Sequence, residues 1–219
     1  MKTLIALLAT LAISACQSAD PLSVKNDYRT PWWYIGFTEP AYMTVWVETT
    51  AVVDIQDRLI PAGASGAAAQ TPDGEYTKEI ARGWDGIGGS SMPVVGADLP
   101  KRLFVRWQSI VERKTYAGWI DISESTRDIM SNSTARRCHK YPQHSANPSA
   151  QLNLGLAPGG IIQVWVRDEC SRAHKVDRGQ VNVEPLGPYL GKNKGRYAWK
   201  IKDSSQRYIE RFGIPYGSW

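Results

Sequence analysis

The stretch Leu99–Ile122, LPKRLFVRWQSIVERKTYAGWIDI, decides the fold. Leu103, Val105 and Trp107 recur at every second position, with Arg102, Arg106 and Gln108 among the residues outside that set. After the polar Glu112-Arg113-Lys114 the alternation resumes, with Tyr116, Gly118, Ile120 and Ile122 set against Thr115, Ala117, Trp119 and Asp121. A period of two sends successive side chains to opposite faces of a pleated strand. The stretch therefore predicts two antiparallel strands around a polar turn, with one dry and one wetter face.

Working outward, Leu152–Val166, LNLGLAPGGIIQVWV, predicts a second hairpin that turns at Pro158-Gly159, where glycine supplies the positive φ of a type II turn. That turn sets Leu156 opposite Ile161 and Leu152 opposite Trp165, leaving Gln163 as a polar misfit on an apolar face. Tyr42–Ile55 is the most β-prone run: Val45, Val47 and Thr49 alternate with Trp46, Glu48 and Thr50, with a bulge expected around Thr50-Ala51. Thr30–Thr38, Gln180–Val183 and Arg196–Lys202 supply further strands. Ser123 is an N-cap for a helix over Ser123–Asn132. Asp203 and Gln206 open a last helix in the manner of a capping box, and Gly213 and Pro215 close it. Leu59–Asp98, rich in small residues and glycine, and the polar Ser131–Ala150 read as long connections. The pattern predicts a mainly β fold: a single antiparallel β-sandwich or twisted-sheet domain over residues 30–219 with two short helices, an α+β arrangement being the alternative.

Residues 1–15 read as an exported leader, with Lys2 ahead of an apolar run too short to span a bilayer. The run ends in Ile13-Ser14-Ala15-Cys16, which resembles the lipobox of bacterial lipoproteins. The resemblance implies cleavage before Cys16, lipidation of that cysteine and residues 16–29 as a tether; an ordinary cleaved signal is the plainer reading. Gln17, standing where retained inner-membrane lipoproteins carry Asp, directs the expectation to a periplasmic protein on the outer membrane. Of the three cysteines, Cys138 and Cys170 then remain as an even pair, either bridged or present as two buried thiols.

The net charge of +5 is mildly basic and fits an acidic partner or anionic surface without demanding one. Gly63-Ala64-Ser65-Gly66-Ala67 and Gly88-Gly89-Ser90-Ser91-Met92 both lack the fifth glycine of a nucleophile elbow. A triad of Ser90, His144 and Asp85 is an assembly from scattered parts. Cys138, His139, His144 and His174 have no tight zinc spacing, and no Gly-Lys-Ser/Thr loop is present. Neither a catalytic residue nor a metal or cofactor is expected. Lys192, Lys194, Arg196, Tyr197, Trp199, Lys200 and Lys202 form a basic–aromatic segment. An exported chain seldom meets nucleic acid, so a lysine-guarded edge strand accounts for it.

Among the nine tryptophans, Trp46, Trp107, Trp119 and Trp165 fall inside strand patterns and are expected in the core. Trp84 and Trp219 lie outside them and are candidates for partner contact, together with Asp85, Arg136 and Arg137, packing being the competing reading for the tryptophans.

Leu99–Ile122 followed by LNLGLAPGGIIQVWVRDEC, with the glycine-rich Gly83-Trp84 stretch upstream, resembles the bacterial lipoprotein family of domain of unknown function 2931 over most of residues 30–185. The resemblance implies an envelope domain without an established enzyme activity. Some such lipoproteins are associated with antibacterial toxins of the type VI secretion system, lipases among them, which points to an immunity protein that binds a secreted toxin. A maintenance lipoprotein binding a cell-wall or outer-membrane component is the alternative.

Overall fold

A computed structural model describes residues 20, 22–24, 30–69, 79–80, 83–84, 86–88 and 91–219. The strands in chain order are β1 (Trp33–Thr38), β2 (Val45–Asp54), β3 (Leu59–Pro61), β4 (Gly66–Ala67), β5 (Ser91–Pro93), β6 (Pro100–Ser109), β7 (Lys114–Asp121), β8 (Ala150–Ala157), β9 (Ile161–Arg167), β10 (Ala173–Gln180) and β11 (Asn182–Val183). Two α-helices, α1 (Glu124–Ala135) and α2 (Asp203–Phe212), and a short 3-10 helix at Pro188–Gly191 complete the described elements. One sheet runs β10-β9-β8-β1-β5; the other runs β11-β7-β6-β2-β3, with β4 also paired to β2.

The alternation in Leu99–Ile122 gives β6 and β7 in unbroken antiparallel register from Arg102↔Asp121 to Ser109↔Lys114. Leu103, Val105, Trp107, Tyr116 and Ile120 point inward and are buried. They meet Leu152, Leu154, Leu156, Ile162, Val164 and Val166 of the other sheet, together with Trp33, Ile35 and Phe37 of β1, in one apolar core. The protein is thus mainly β and sandwich-like. Antiparallel pairing dominates, and β1 beside β8 is a parallel pair.

The β8–β9 hairpin departs from expectation by one residue. Gly159 and Gly160 both adopt positive φ, so the loop holds three residues and the register becomes Leu152↔Val166 and Leu156↔Ile162. A Cβ on Gly160 would lie 2.3 Å from the Val181 carbonyl oxygen, so glycine is required there for space as well as conformation. The shift moves Gln163 opposite Gly155, off the core face, where its side chain donates to the Asp177 carbonyl at 2.8 Å. The polar misfit disappears because a one-residue change of pairing exchanges faces.

In β2 the bulge falls between Val47 and Thr49, earlier than expected, so Glu48 leaves the alternation and Thr50 and Val52 turn inward. Trp46, ahead of the bulge, and Trp119, on β7, lie on the outer face of their sheet rather than in the core, whereas Trp107 is fully buried. Arg196–Lys202 does not form a strand; it crosses that outer face irregularly, with Trp199 edge-on to Trp46 at 5.7 Å. Ser123 caps α1 as predicted, its hydroxyl accepting from Thr126 N, and the helix runs on to Ala135. The N-cap of α2 is Lys202, without a side-chain cap bond, so Asp203 is the first helical residue and not the cap; Gly213 ends the helix at φ 71°.

A buried carboxylate joins the hairpin tips. Glu112 accepts from the hydroxyls of Tyr116 at 2.9 Å and Tyr216 at 2.8 Å, and from Gly159 N at 3.2 Å. Burial first, then the Glu112 carboxylate, pushes the Tyr116 phenol well above its usual 10.0 and that of Tyr216 up to about 12. Because the folded state holds these protons more tightly than the unfolded state, their stabilising contribution is intact below pH 10 and shrinks as pH rises past it. Chemical unfolding at a series of alkaline pH values should show that loss, and Tyr116→Phe should flatten it.

Candidate binding face

Among the residues singled out by sequence, Cys16, Asp85 and Ser90 lie outside the described residues. Cys138 and Cys170 are bonded, with Cα atoms 4.6 Å apart. Trp219 is packed and not an exposed contact: it is 5% exposed, and its indole N–H donates to the Pro158 carbonyl at 3.1 Å. Its own carbonyl accepts from Arg178. Trp84 is half-buried and edge-on to Trp165 at 5.1 Å. Gly155 lies beneath that pair, where a Cβ would come within 2.4 Å of the Trp165 ring and 2.6 Å of Trp84. Arg136 is exposed at the C-cap of α1, while Arg137 is paired with Asp20 at 2.6 Å. Trp84 and Trp219 thus join one apolar cluster with Tyr42, Ala157 and Tyr208, and the two arginines stand at the opposite end of the sandwich. These residues do not make a common surface.

The disulfide also takes up Cys138, weighed above as a metal ligand; His139 Nδ1 lies 3.7 Å from Cys170 Sγ. His174 is engaged by Asp168 at 2.8 Å. Burial by itself raises the Asp168 pKa. Hydrogen bonds from His174, the backbone of Arg172 and Cys170, and the Arg172 side chain outweigh it and bring the carboxyl to about 2. This ion cluster shapes the turn between β9 and β10.

The bulge at Glu48 organises the outer face of the six-stranded sheet. Its carboxylate, 1% exposed, accepts from Arg106 Nε, Gln108 Nε2 and Tyr189 N, each at 2.8 Å. Gln108 in turn accepts from Ala198 N at 2.7 Å, and Tyr197 donates to the Arg113 carbonyl. Residues 184–200 are thereby strapped across one half of that face. The strap includes Tyr189 and Leu190, both in the left-handed region, at φ 52° and 54°.

The other half is open. The Phe104 and Trp119 rings meet at a 56° tilt with centres 5.4 Å apart, the Arg102 guanidinium lies 5.1 Å over the indole, and Arg102 is paired with Asp121 at 3.0 Å. Trp119 is 37% exposed, and Leu59, paired beside Val53 on β3, is 65% exposed. A tryptophan with an arginine over it and aliphatic neighbours is the composition that carries most binding energy at protein interfaces. The alternation in Leu99–Ile122 already put Trp119 on the face opposite Ile120; ranking every in-strand tryptophan as core hid that signal. At the edge of the strap, Thr44, Val45, Ala67, Ala68, Trp199 and Lys200 are among the residues around a pocket of about 280 Å³.

The two sheets pack as a sandwich, and the outer face of the six-stranded one carries an aromatic ridge. The chain belongs to the family described as protein of unknown function (DUF2931), whose profile matches residues 19–217. The match reaches beyond residues 30–185 at both ends and so includes the strap and α2. No curated protein matches the chain, and no solved structure does.

Proposed function

We propose that this is a lipid-anchored envelope protein, attached through Cys16 on the periplasmic side of the outer membrane, that acts by binding a protein. Within that class the reading is an immunity protein that neutralises a secreted antibacterial toxin, with a type VI phospholipase effector as the specific candidate. The observation that supports it is the Phe104–Trp119–Arg102 ridge, an open aromatic and cationic patch on a rigid hairpin. Rigid placement lowers the ordering cost of association. Tethering concentrates such a binder at the surface where a lipase works.

The decisive experiment expresses the toxin encoded beside this gene, with and without the protein, and scores growth. Protection supports the reading, and killing undiminished by the protein removes it. Trp119→Ala should weaken the purified complex about thirtyfold, the scale of a hot-spot truncation, with the far-ultraviolet spectrum unchanged. Titration calorimetry reads the affinity.

The pocket beside Trp199 favours a second reading, a maintenance lipoprotein that holds an envelope component. Val45, Ala67, Ala68 and Trp199 line it beside the buried Glu39, the Thr44 hydroxyl is buried without a hydrogen-bond partner among the described residues, and the exposed Lys200 and Lys202 complete the lining. Sedimentation with purified peptidoglycan or lipopolysaccharide distinguishes it from the first reading.

A further inference from the structure

We propose that the end of the sandwich carrying the Cys138–Cys170 disulfide sits against an anionic bilayer surface, with the 136–145 loop as the contact. The proposal rests on the lipidation of Cys16. It goes further by fixing which way the body stands.

Within residues 16–29, expected as a tether, Asp20 and residues 22–24 bond to the body. Val24 N donates to the Thr134 carbonyl at 3.0 Å and Ser23 Oγ to the Ala135 carbonyl at 2.5 Å, so this segment closes the carboxyl end of α1. Ala146 N donates to the Leu22 carbonyl at 2.9 Å. The Arg137 guanidinium bridges the Asp20 carboxylate at 2.6 Å and the Pro142 carbonyl. The loop 136–146 is therefore wrapped around the docked segment, which is itself tied to α1. From Asp20 back to Cys16 there are four residue steps, and a fully extended chain covers at most about 14 Å in that length. An acyl chain on Cys16 leaves no room for the body to tumble. It holds the disulfide end near the head groups and turns the Glu112 end, across the length of the strands, away from them.

The surface presented there suits that neighbour. His139 to Ser145 are all exposed, Tyr141 by 56%. Arg136 and Lys140 are exposed cations, and the sequence has no Asp or Glu between Asp128 and Asp168. Asp20 is paired with Arg137, and Asp168 is engaged by Arg172 and His174. Glu169 lines the same hollow as Tyr141 and His144. Basic side chains beside an exposed tyrosine match the charge and polarity gradient of an anionic head-group layer. The disulfide keeps the loop from collapsing away from it.

The test is hydrogen exchange on the full lipidated protein, reconstituted in vesicles of phosphatidylethanolamine and phosphatidylglycerol and compared with the same protein in neutral detergent. Amides of 136–146 should exchange about tenfold more slowly on vesicles, while those of 110–113 and 158–160 keep their rates. Arg136→Glu with Lys140→Glu should abolish the slowing without releasing the protein from the vesicles. Unchanged exchange at 136–146 on protein whose intact mass shows the lipid, or slowing at 110–113 and 158–160 instead, overturns the proposal alone. An intact mass showing bare Cys16 overturns it together with the anchoring reading.

Discussion

Replacing Arg106 by methionine should destabilise the protein by about 3–5 kcal/mol, the scale expected when one member of a buried ion pair is removed. Glu48 sits at the bulge of β2 with its carboxylate almost wholly buried, and Arg106 is the cation paired with it. Methionine fills much of the same volume but leaves a charge with only neutral donors. The damage should spread: Glu48 also receives Tyr189 N, and Gln108 beside it receives Ala198 N, so residues 184–200 lose their hold on the sheet. Urea titration should show the lower midpoint, and limited proteolysis should cut first within 184–200. Glu48→Gln combined with Arg106→Met should recover much of the loss, since it takes away the stranded charge. An equally unstable double variant would show that geometry at the bulge, rather than charge, governs the strap.

Serine at both Cys138 and Cys170 should cost about 3.5 kcal/mol, the loop-closure entropy of a bridge of this span. The bridge joins cysteines separated by 32 positions and ties the connection after α1 to the turn between β9 and β10. The unfolded chain gains most from its removal, so the unfolding midpoint should fall while the native spectrum stays unchanged. A loss well under that figure would mean that the unfolded chain without the bridge already keeps this loop compact.

What the sequence made legible followed from strict alternation. Leu103, Val105 and Trp107 were placed correctly because a two-residue period admits one buried set, and Ser123 and Gly213 marked helix ends through side-chain and backbone chemistry that is local. Three features were not local. The third residue in the Pro158 loop came from Gly160 fitting under Val181, a contact with a distant segment. The early bulge in β2 depended on Arg106 and Gln108, more than a strand away, offering donors to Glu48. Arg196–Lys202 alternates like a strand, yet the backbone N–H of Ala198 is taken by the Gln108 side chain and the Tyr197 hydroxyl by the Arg113 carbonyl, so the segment is held without pairing. The candidate face was half legible: the pattern exposed Trp119, but its contact with Phe104 and Arg102 needed the register of β6 against β7. Trp84 and Trp219, chosen for their glycine neighbours, were claimed instead by a second apolar cluster, and nothing in their local sequence announces it.

The parallel pair of β1 and β8 carries one more implication. Trp33 must meet Ala150, and β1 is enclosed between β8 and β5, so its place exists only once a much later part of the chain has arrived. Bringing such distant partners together pays loop-closure entropy before any contact rewards it, which makes this junction a slow step of assembly. The first strand of the chain is then among the last to be seated, and until it is, the apolar run from Trp32 to Phe37 stays uncovered.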